Sequence, residues 1–571
     1  MVSRVHWLVA VAVAVFAAAT PAAPVPVPGE GKYEPPTATL HTLPGEKLLA
    51  DVRVYAKLIG GDTAVKKLDE SLTELFGKAT LPGLDLTRPA CAYLYLRANL
   101  EETSGVLVIP TTSEKEALAL LEKMGLGAKV DPATPGRHKL VPEDPNFPLP
   151  LYAQFADGGK LLYVSVNAKP DVLEKDKLIP VAKLVDPKAT THVTLTAYPD
   201  RVPNAARQMV FEFIDLVLMA ELDRMEQGKP RDMPPSFPTF MKELLKLGKR
   251  SLASLFTECD KVTVGGHLNT KSGNVETETV IAPKANTAFA TDIAAIKAPV
   301  GRFHQLTTKE SVLGGWAVLP TPLPKELRTH GGAFFKEWGG ILKNDGPKSL
   351  GDIFDAVGDQ LSKAVAGGKV DGGFGLTGPN KADLYTGVAA VACDAPAALE
   401  KAVRAAVKGL PAEAAALVKL DAMKVEGVAV HTILVGETLD KAVQRIVGAD
   451  ATVHVAFGTD AVYAAVGPDA EAELKRAMAL KPATATAFDL TAHGARGVKL
   501  LAADRFNAPI VEMGKRIDDF VSYVGVDVTG GKELRVKAKS GAPLMVFMVF
   551  SAVREFQAVP GAIPPPLPIK K

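Results

Sequence analysis

Short stretches of alternating apolar and polar residues, parted by Gly- and Pro-bearing turns, give way at intervals to stretches of helical period. Ala92–Arg97 reads as a strand with alternating faces. A turn over residues 101–104 leads to a second strand, Gly105–Ile109. The period then changes. Between Ser113 and Met124 the positions Leu118, Leu121 and Met124 fall on one side, with Glu116 and Lys123 off it. Ser113 and Glu116 have capping-box spacing at the start of this helix. Gly125 and Gly127 end it. Strands follow at Gly136–Val141, Leu151–Phe155 and Leu161–Val166, the last two joined by a turn over 156–159. Pro170-Asp171 opens a short helix. Then come a strand His192–Ala197, a long helix Ala205–Met225 and a hairpin Lys261–Ala282.

The same order is written again further on. Gly373–Thr377 and Leu384–Val391 repeat the first strand pair, and a helix over Ala395–Val407 repeats the first helix. Gly427–Leu434, Val453–Phe457 and Ala461–Val466 repeat the next three strands, and Pro468-Asp469 opens the second short helix. Ala485–Thr491, a helix Val498–Val524 and a hairpin Val526–Val553 complete the series. Two stretches stand outside the repeat: Glu226–Phe256, with a basic helix from Met241, and His304–Lys348, which contains Trp316 and Trp338. Interrupting loops are where a site is expected.

Short hairpins join antiparallel neighbours, and amphipathic helices need a sheet to cover. The expected fold is therefore α+β. It consists of two similar tandem halves, 38–283 and 284–558, each a mainly antiparallel sheet with helices packed on one face.

The ends read differently. Arg4, an uncharged apolar stretch from Trp7 to Ala19 and small residues after it have the layout of a signal peptide, assigned to residues 1–22. That apolar stretch is shorter than a membrane span needs, and no transmembrane helix is expected in the exported chain. Residues 23–37 form a Pro-rich linker and 559–571 a Pro-rich tail. The expected location is secreted or periplasmic.

Composition narrows the function. The chain has 571 residues, 66 Lys+Arg against 64 Asp+Glu, and a formal charge of +2. Such a balance excludes a protein built around a nucleic-acid footprint. Cys91, Cys259 and Cys393 are too few and too far apart for a disulfide framework. Whether any two of them pair is not legible. Cys91 and Cys393 lie among small apolar residues and read as buried hydrophobes.

Catalytic patterns are missing. The ten His include no i, i+4 pair and no H-E-x-x-H. No C-x-x-C, G-x-S-x-G or P-loop occurs. Gly373, Gly375 and Gly378 match G-x-G-x-x-G as letters. They lie in a strand and its turn, whereas a dinucleotide cradle needs them to open a helix. No catalytic, cofactor-binding or metal-ligating residue is assigned, and no cofactor. The basic stripe Lys242, Lys246, Lys249 and Arg250 reads as the solvated face of a docked helix.

The resulting expectation is an exported, non-catalytic binding or scaffold protein with an apolar groove for an apolar ligand or a protein partner. The alternative is an extracytoplasmic hydrolase-type enzyme whose site assembles from distant residues, such as His304 or His330 with carboxylates.

Overall fold

Alternation and short turns build what they dictate, one large antiparallel sheet with helices laid on it. In this computed structural model residues 33–541 are described, apart from 77–80, 100–101, 133, 135, 144–149, 167–169, 187–188, 228–233, 320–324, 346–350, 437–438, 494–495 and 497–519. The expected signal peptide, the linker up to residue 32 and the tail lie outside the described residues. So does most of the helix expected at Val498–Val524, whose last five positions instead begin a strand.

Twenty strands join in one sheet. From one outer edge inward run β4 (Leu126–Val130), β5 (Arg137–Pro142), β6 (Leu151–Ala156), β7 (Leu161–Val166), β3 (Ser104–Pro110), β2 (Pro89–Tyr95), β1 (Ala38–Pro44), β8 (Val193–Ala197), β9 (Cys259–Asn269) and β10 (Asn274–Pro283). From the other edge inward run β15 (Val418–Val425), β16 (Val428–Leu434), β17 (Thr452–Phe457), β18 (Ala461–Val466), β14 (Thr386–Ala392), β13 (Asp371–Thr377), β12 (Ser311–Val318), β20 (Phe488–His493), β21 (Phe520–Thr529) and β22 (Leu534–Gly541). The two arms meet where β10 pairs with β22. Two short strands, β11 (Val300–Gly301) and β19 (Ala483–Thr484), pair separately.

Register carries the correspondence between the arms from strand to strand. Cys91 stands opposite Val108 and His41; at the matching place Gly373 stands opposite Ala390 and Trp316. His41 stands opposite Thr194, and Thr194 opposite Gly265; likewise Trp316 opposite Asp489, and Asp489 opposite Gly525. At the seam Glu276 faces Lys539 and Glu278 faces Lys537. Several matched positions hold the same residue: Tyr163 and Tyr463, Leu195 and Leu490, Thr196 and Thr491, Gly265 and Gly525.

Ser311–Val318, expected within an insertion, is a strand in the body of the sheet. Gly314 and Gly315 blur its alternation, which hid it. Ala38–Pro44 takes the matching place in the first arm and was not anticipated either.

The helices are α1 (Gly45–Phe76), α2 (Glu114–Lys123), α3 (Val181–Leu184), α4 (Asn204–Gln227), α5 (Phe237–Glu258), α6 (Ala288–Ala295), α7 (Lys325–Asp345), α8 (Gly351–Gly367), α9 (Pro396–Lys408), α10 (Ala412–Ala415), α11 (Lys441–Val447) and α12 (Ala470–Ala479). Ser113 caps α2, accepting from the Glu116 N–H. The Glu116 carboxylate binds the Thr112 hydroxyl. The α1 axis breaks at Gly61, whose φ of 67° only glycine adopts freely. Arg53 then reaches Asp69 at 2.8 Å, a pair that a straight helix would hold about 24 Å apart. The chain therefore doubles back, as α7 and α8 do.

Helices cover both faces of the sheet, not one. In β2, β3 and β7 one set of alternate residues (Cys91, Tyr93, Val106, Val108, Tyr163) packs with Leu173, Ile179 and Leu184. The other set (Leu107, Ile109, Leu162, Val164) packs with Ala117 and Leu121 of α2. Strands apolar on both sides are the sequence counterpart of this double cover. Among the described residues no helix is long and apolar enough to cross a membrane.

Candidate functional site

At the seam the sheet face carries charged and amide side chains in place of aliphatic ones. Running across the strands, Glu276 on β10 faces Lys539 on β22, Lys539 faces Gly525 on β21, Gly525 faces Asp489 on β20, and Asp489 faces Trp316 on β12. A cleft of about 570 Å³ lies over this row. Its floor spans three inter-strand steps between β10 and β20, about 14 Å.

Two turns wall it. The β9–β10 turn is fixed by Asn269, whose Oδ1 accepts from the N–H groups of Lys271 and Ser272, at 3.1 Å each. Its Nδ2 donates to Glu276 Oε1 at 3.0 Å. The other turn, Thr307–Lys309, is held by the Thr308 N–H bond to Ser311 Oγ, 2.8 Å, and by Thr307 Oγ1 donating to the Phe374 carbonyl, 3.2 Å. Gly314 lets that turn lie on the strand, since a Cβ there would meet Thr307 Oγ1 at an impossible distance. A Cβ at Gly525 would stand 3.1 Å from Asp489 Oδ2, so this glycine leaves room for the Asp489 carboxylate.

Two of the lining residues carry a buried polar atom that has no partner among the described residues: Asn274 Oδ1 and Thr491 Oγ1. Asn274 is 5% exposed and Thr491 6%. An unsatisfied buried group costs about 1–3 kcal/mol, and native proteins hold few of them. Trp316 adds an aromatic wall. Its Nε1 already donates to Thr486 Oγ1 at 3.1 Å, so the ring, not the N–H, is what remains to offer.

Two other polar clusters lie elsewhere on the sheet; in the first, His431 Nε2 is buried without a hydrogen-bond partner among the described residues. Glu400, Asp421 and His431 lie close enough to hold a metal. Arg404 sits between both carboxylates, bonded to Glu400 at 2.7 Å and to Asp421 at 2.5 Å. These bonds hold Asp421 below the usual carboxylate range and push Arg404 up. His431 Nδ1 accepts from the Asp421 N–H at 3.0 Å, so its proton sits on Nε2, 3.3 Å from Glu400. A guanidinium already in place and a protonated ring nitrogen suit an ion network better than a metal centre.

The second cluster links Asp51, His192 and His267. His192 Nε2 contacts Asp51 Oδ2 at 3.0 Å, and its Nδ1 contacts His267 Nδ1 at 3.1 Å. The Leu268 N–H also donates to that Nδ1. Burial lowers the His192 pKa, which the bond to Asp51 only partly offsets.

The residues weighed from sequence fall as follows. Cys91, Cys259 and Cys393 are free buried thiols. Burial pushes Cys91 up to about 12, Cys259 up to about 11 and Cys393 upward, so none offers a thiolate. Gly373 and Gly375 lie in β13, as expected. A Cβ on either would meet the carbonyl of Phe303 or Leu306 at 2.3 Å, so close backbone approach explains both glycines. His304 packs edge-on to Trp316, whereas His330 lies on α7. In the basic stripe, Lys249 pairs with Asp215 and Lys246 with Glu243.

Sequence reasoning missed Asn274, Thr491, Asp489 and Lys539. They lie far apart in the chain and follow no motif, so only the pairing of β10 with β22 could have brought them together. The stretch 304–348, flagged as a place for a site, does supply Thr307, Thr308, Lys309 and Trp316 to the cleft.

No family model and no curated protein matches the chain. A solved structure described as crystal form I of TP0453 is similar at 9% identity, over 46% of this chain and 80% of that one. Its TM-score of 0.21 is too low to carry any argument.

Proposed function

We propose that this is an exported, non-catalytic binding protein made of one unit written twice, with its binding site in the cleft where the two copies meet. The observation that carries the proposal is that two residues lining one polar cleft, Asn274 and Thr491, each carry a buried atom, Oδ1 and Oγ1, without a partner among the described residues. Register matched from strand to strand supports the duplication. The layout of residues 1–22 supports export to a secreted or periplasmic location. Buried thiols of raised pKa and histidines engaged in internal bonds favour binding over nucleophilic chemistry. The lining residues favour a polar ligand over the apolar one suggested by sequence.

The test is purification of the exported protein from its own host, with mass spectrometry under native and denaturing conditions. A co-purifying small molecule is expected, and Asn274→Ala with Thr491→Val should release it. Retention of the molecule by the folded double variant would place its site elsewhere and overturn the proposal.

A further inference from the structure

We infer that the cleft takes a short neutral oligosaccharide. The inference rests on the cleft being a binding site and adds the class of its ligand. Charge comes first. The lining holds Glu276 and Asp489 against Lys309 and Lys539, so it is balanced overall and favours no net charge. Glu276 and Lys539 face each other directly, and Glu276 is also held by Asn269. Neither sign is set apart at one end, as an anion or a zwitterion would need.

Hydrogen bonding comes next. Asn274 Oδ1 is buried without a partner among the described residues and can only accept, so a ligand that reaches it must donate. Thr491 Oγ1 can do either, and the lysines can only donate. A ligand that meets all of these along about 14 Å carries groups that donate and accept at once, which hydroxyls do. The volume of about 570 Å³ suits a small ligand of this kind.

The aromatic wall completes the match. With its N–H bonded to Thr486, Trp316 presents apolar ring surface, which complements the C–H face of a sugar ring. An extended peptide finds less. The floor is a sheet face whose backbone groups are used by neighbouring strands, so strand addition has no edge to join. A lipid would leave the buried amide and hydroxyl unpaired.

The test uses residues 23–571 carrying Trp338→Phe. Trp7 is lost with the leader, so Trp316 is then the one remaining indole. Cellohexaose, chitohexaose and maltohexaose are titrated by fluorescence and calorimetry, with inorganic phosphate and glycine as charged controls. At least one hexasaccharide should bind saturably and shift the Trp316 emission. Asn274→Ala with Thr491→Val should weaken it about tenfold or more with far-UV circular dichroism unchanged. Thr194→Ala with Thr196→Ala, at the matching place in the first arm, should leave affinity within about twofold.

Silence from all three sugars at millimolar concentration overturns the inference. So does preferential binding of phosphate or glycine. If a co-purifying molecule proves charged or apolar and the Asn274/Thr491 variant releases it, the sugar class fails while the site stands. If no molecule and no probe responds to those two substitutions, the site itself fails.

Discussion

The same place on the sheet is open in one arm and filled in the other. Where the second arm has Trp316, Asp489 and Thr491, the first has His41, Thr194 and Thr196. In the first arm the threonines satisfy one another, while His41 Nε2, like Thr491 Oγ1, is buried without a partner among the described residues. Thr194 and Thr191 share a bond at 2.5 Å, and Thr196 lies 3.5 Å from Thr263. Thr191 also fills the space above Gly265, where a Cβ would meet its Cγ2 at 2.7 Å. His41 is 4% exposed, with Asp186 and the Leu184 backbone beside it. In the second arm Thr491 Oγ1 has no partner among the described residues, and the matching glycine, Gly525, lies under the Asp489 carboxylate, which lines the cleft. One backbone pattern therefore lies under packed threonines in one arm and beside a cleft in the other, and the side chains laid over it decide which.

The largest effect should come from filling each place. Gly265→Val forces a side chain into Thr191 and should cost about 1–3 kcal/mol in denaturant unfolding. Gly525→Val meets the Asp489 carboxylate at 3.1 Å where Gly265→Val meets a methyl at 2.7 Å, so it should cost less, and it should push that carboxylate toward the cleft. Equal losses of stability would show that the two places do not differ as described.

The seam joins the two places, so its charges come next. Glu276→Lys with Glu278→Lys sets like charges opposite Lys539 and Lys537. Cross-strand pairs are worth about 0.2–1 kcal/mol each, so the double variant should lose on the order of 1–2 kcal/mol. Adding Lys537→Glu and Lys539→Glu should restore most of it. The loss should shrink with salt, because these side chains are partly exposed. An unrescued quadruple variant would mean that shape, not charge, holds β10 to β22.

Acid should act more gradually, and unequally. Burial lowers the folded-state pKa of His41 and His192 in the filled place and of His304 beside Trp316. A lowered pKa means that the unfolded chain binds more protons. The stability is therefore complete above the unfolded value near 6.5 and is lost as pH falls through 6.5 toward the folded values. His41→Asn with His192→Asn should flatten the slope of stability between pH 7 and 5 more than His304→Asn does. The unfolding midpoint against pH measures this, and an unchanged slope in the double variant would remove these two rings from the account.

How much of this could be read from the chain varies with distance along it. Hairpins such as Leu151–Val166 and Thr452–Val466 were legible because alternation and a turn are local signals. The expectation of a repeated order rests on the same local signals. β1 and β12 were not, since Pro44 ends one and paired glycines thin the other, leaving weak alternation. Cover on both faces was hinted at by strands apolar on both sides, but helix placement depends on long-range packing. The cleft was hidden because its two partnerless side chains, Asn274 and Thr491, stand on strands joined only through the seam.

The smallest expected effect is a difference close to zero, and it tests the correspondence where both arms are filled. His138 on β5 lies 3.3 Å from Glu114 of α2 and edge-on to Phe155 at 5.7 Å. His431 on β16 lies 3.3 Å from Glu400 of α9 and against Phe457 at 5.8 Å. Register matches the two histidines and the two phenylalanines: His138 stands opposite Ala153, His431 opposite Val455, and each Phe lies two residues further along. Both rings are more than nine-tenths buried. His138→Ala and His431→Ala should each lose stability, and the two losses should agree within about 0.5 kcal/mol, the scale on which independent sites add. The second arm adds the bonds of Arg404 to both carboxylates and, on the ring itself, the Asp421 N–H bond to His431 Nδ1, so agreement of the two losses is a strict demand. A gap much wider than this would mean that matched register does not bring matched energetics. The contrast between the open and filled places would then have to be explained position by position.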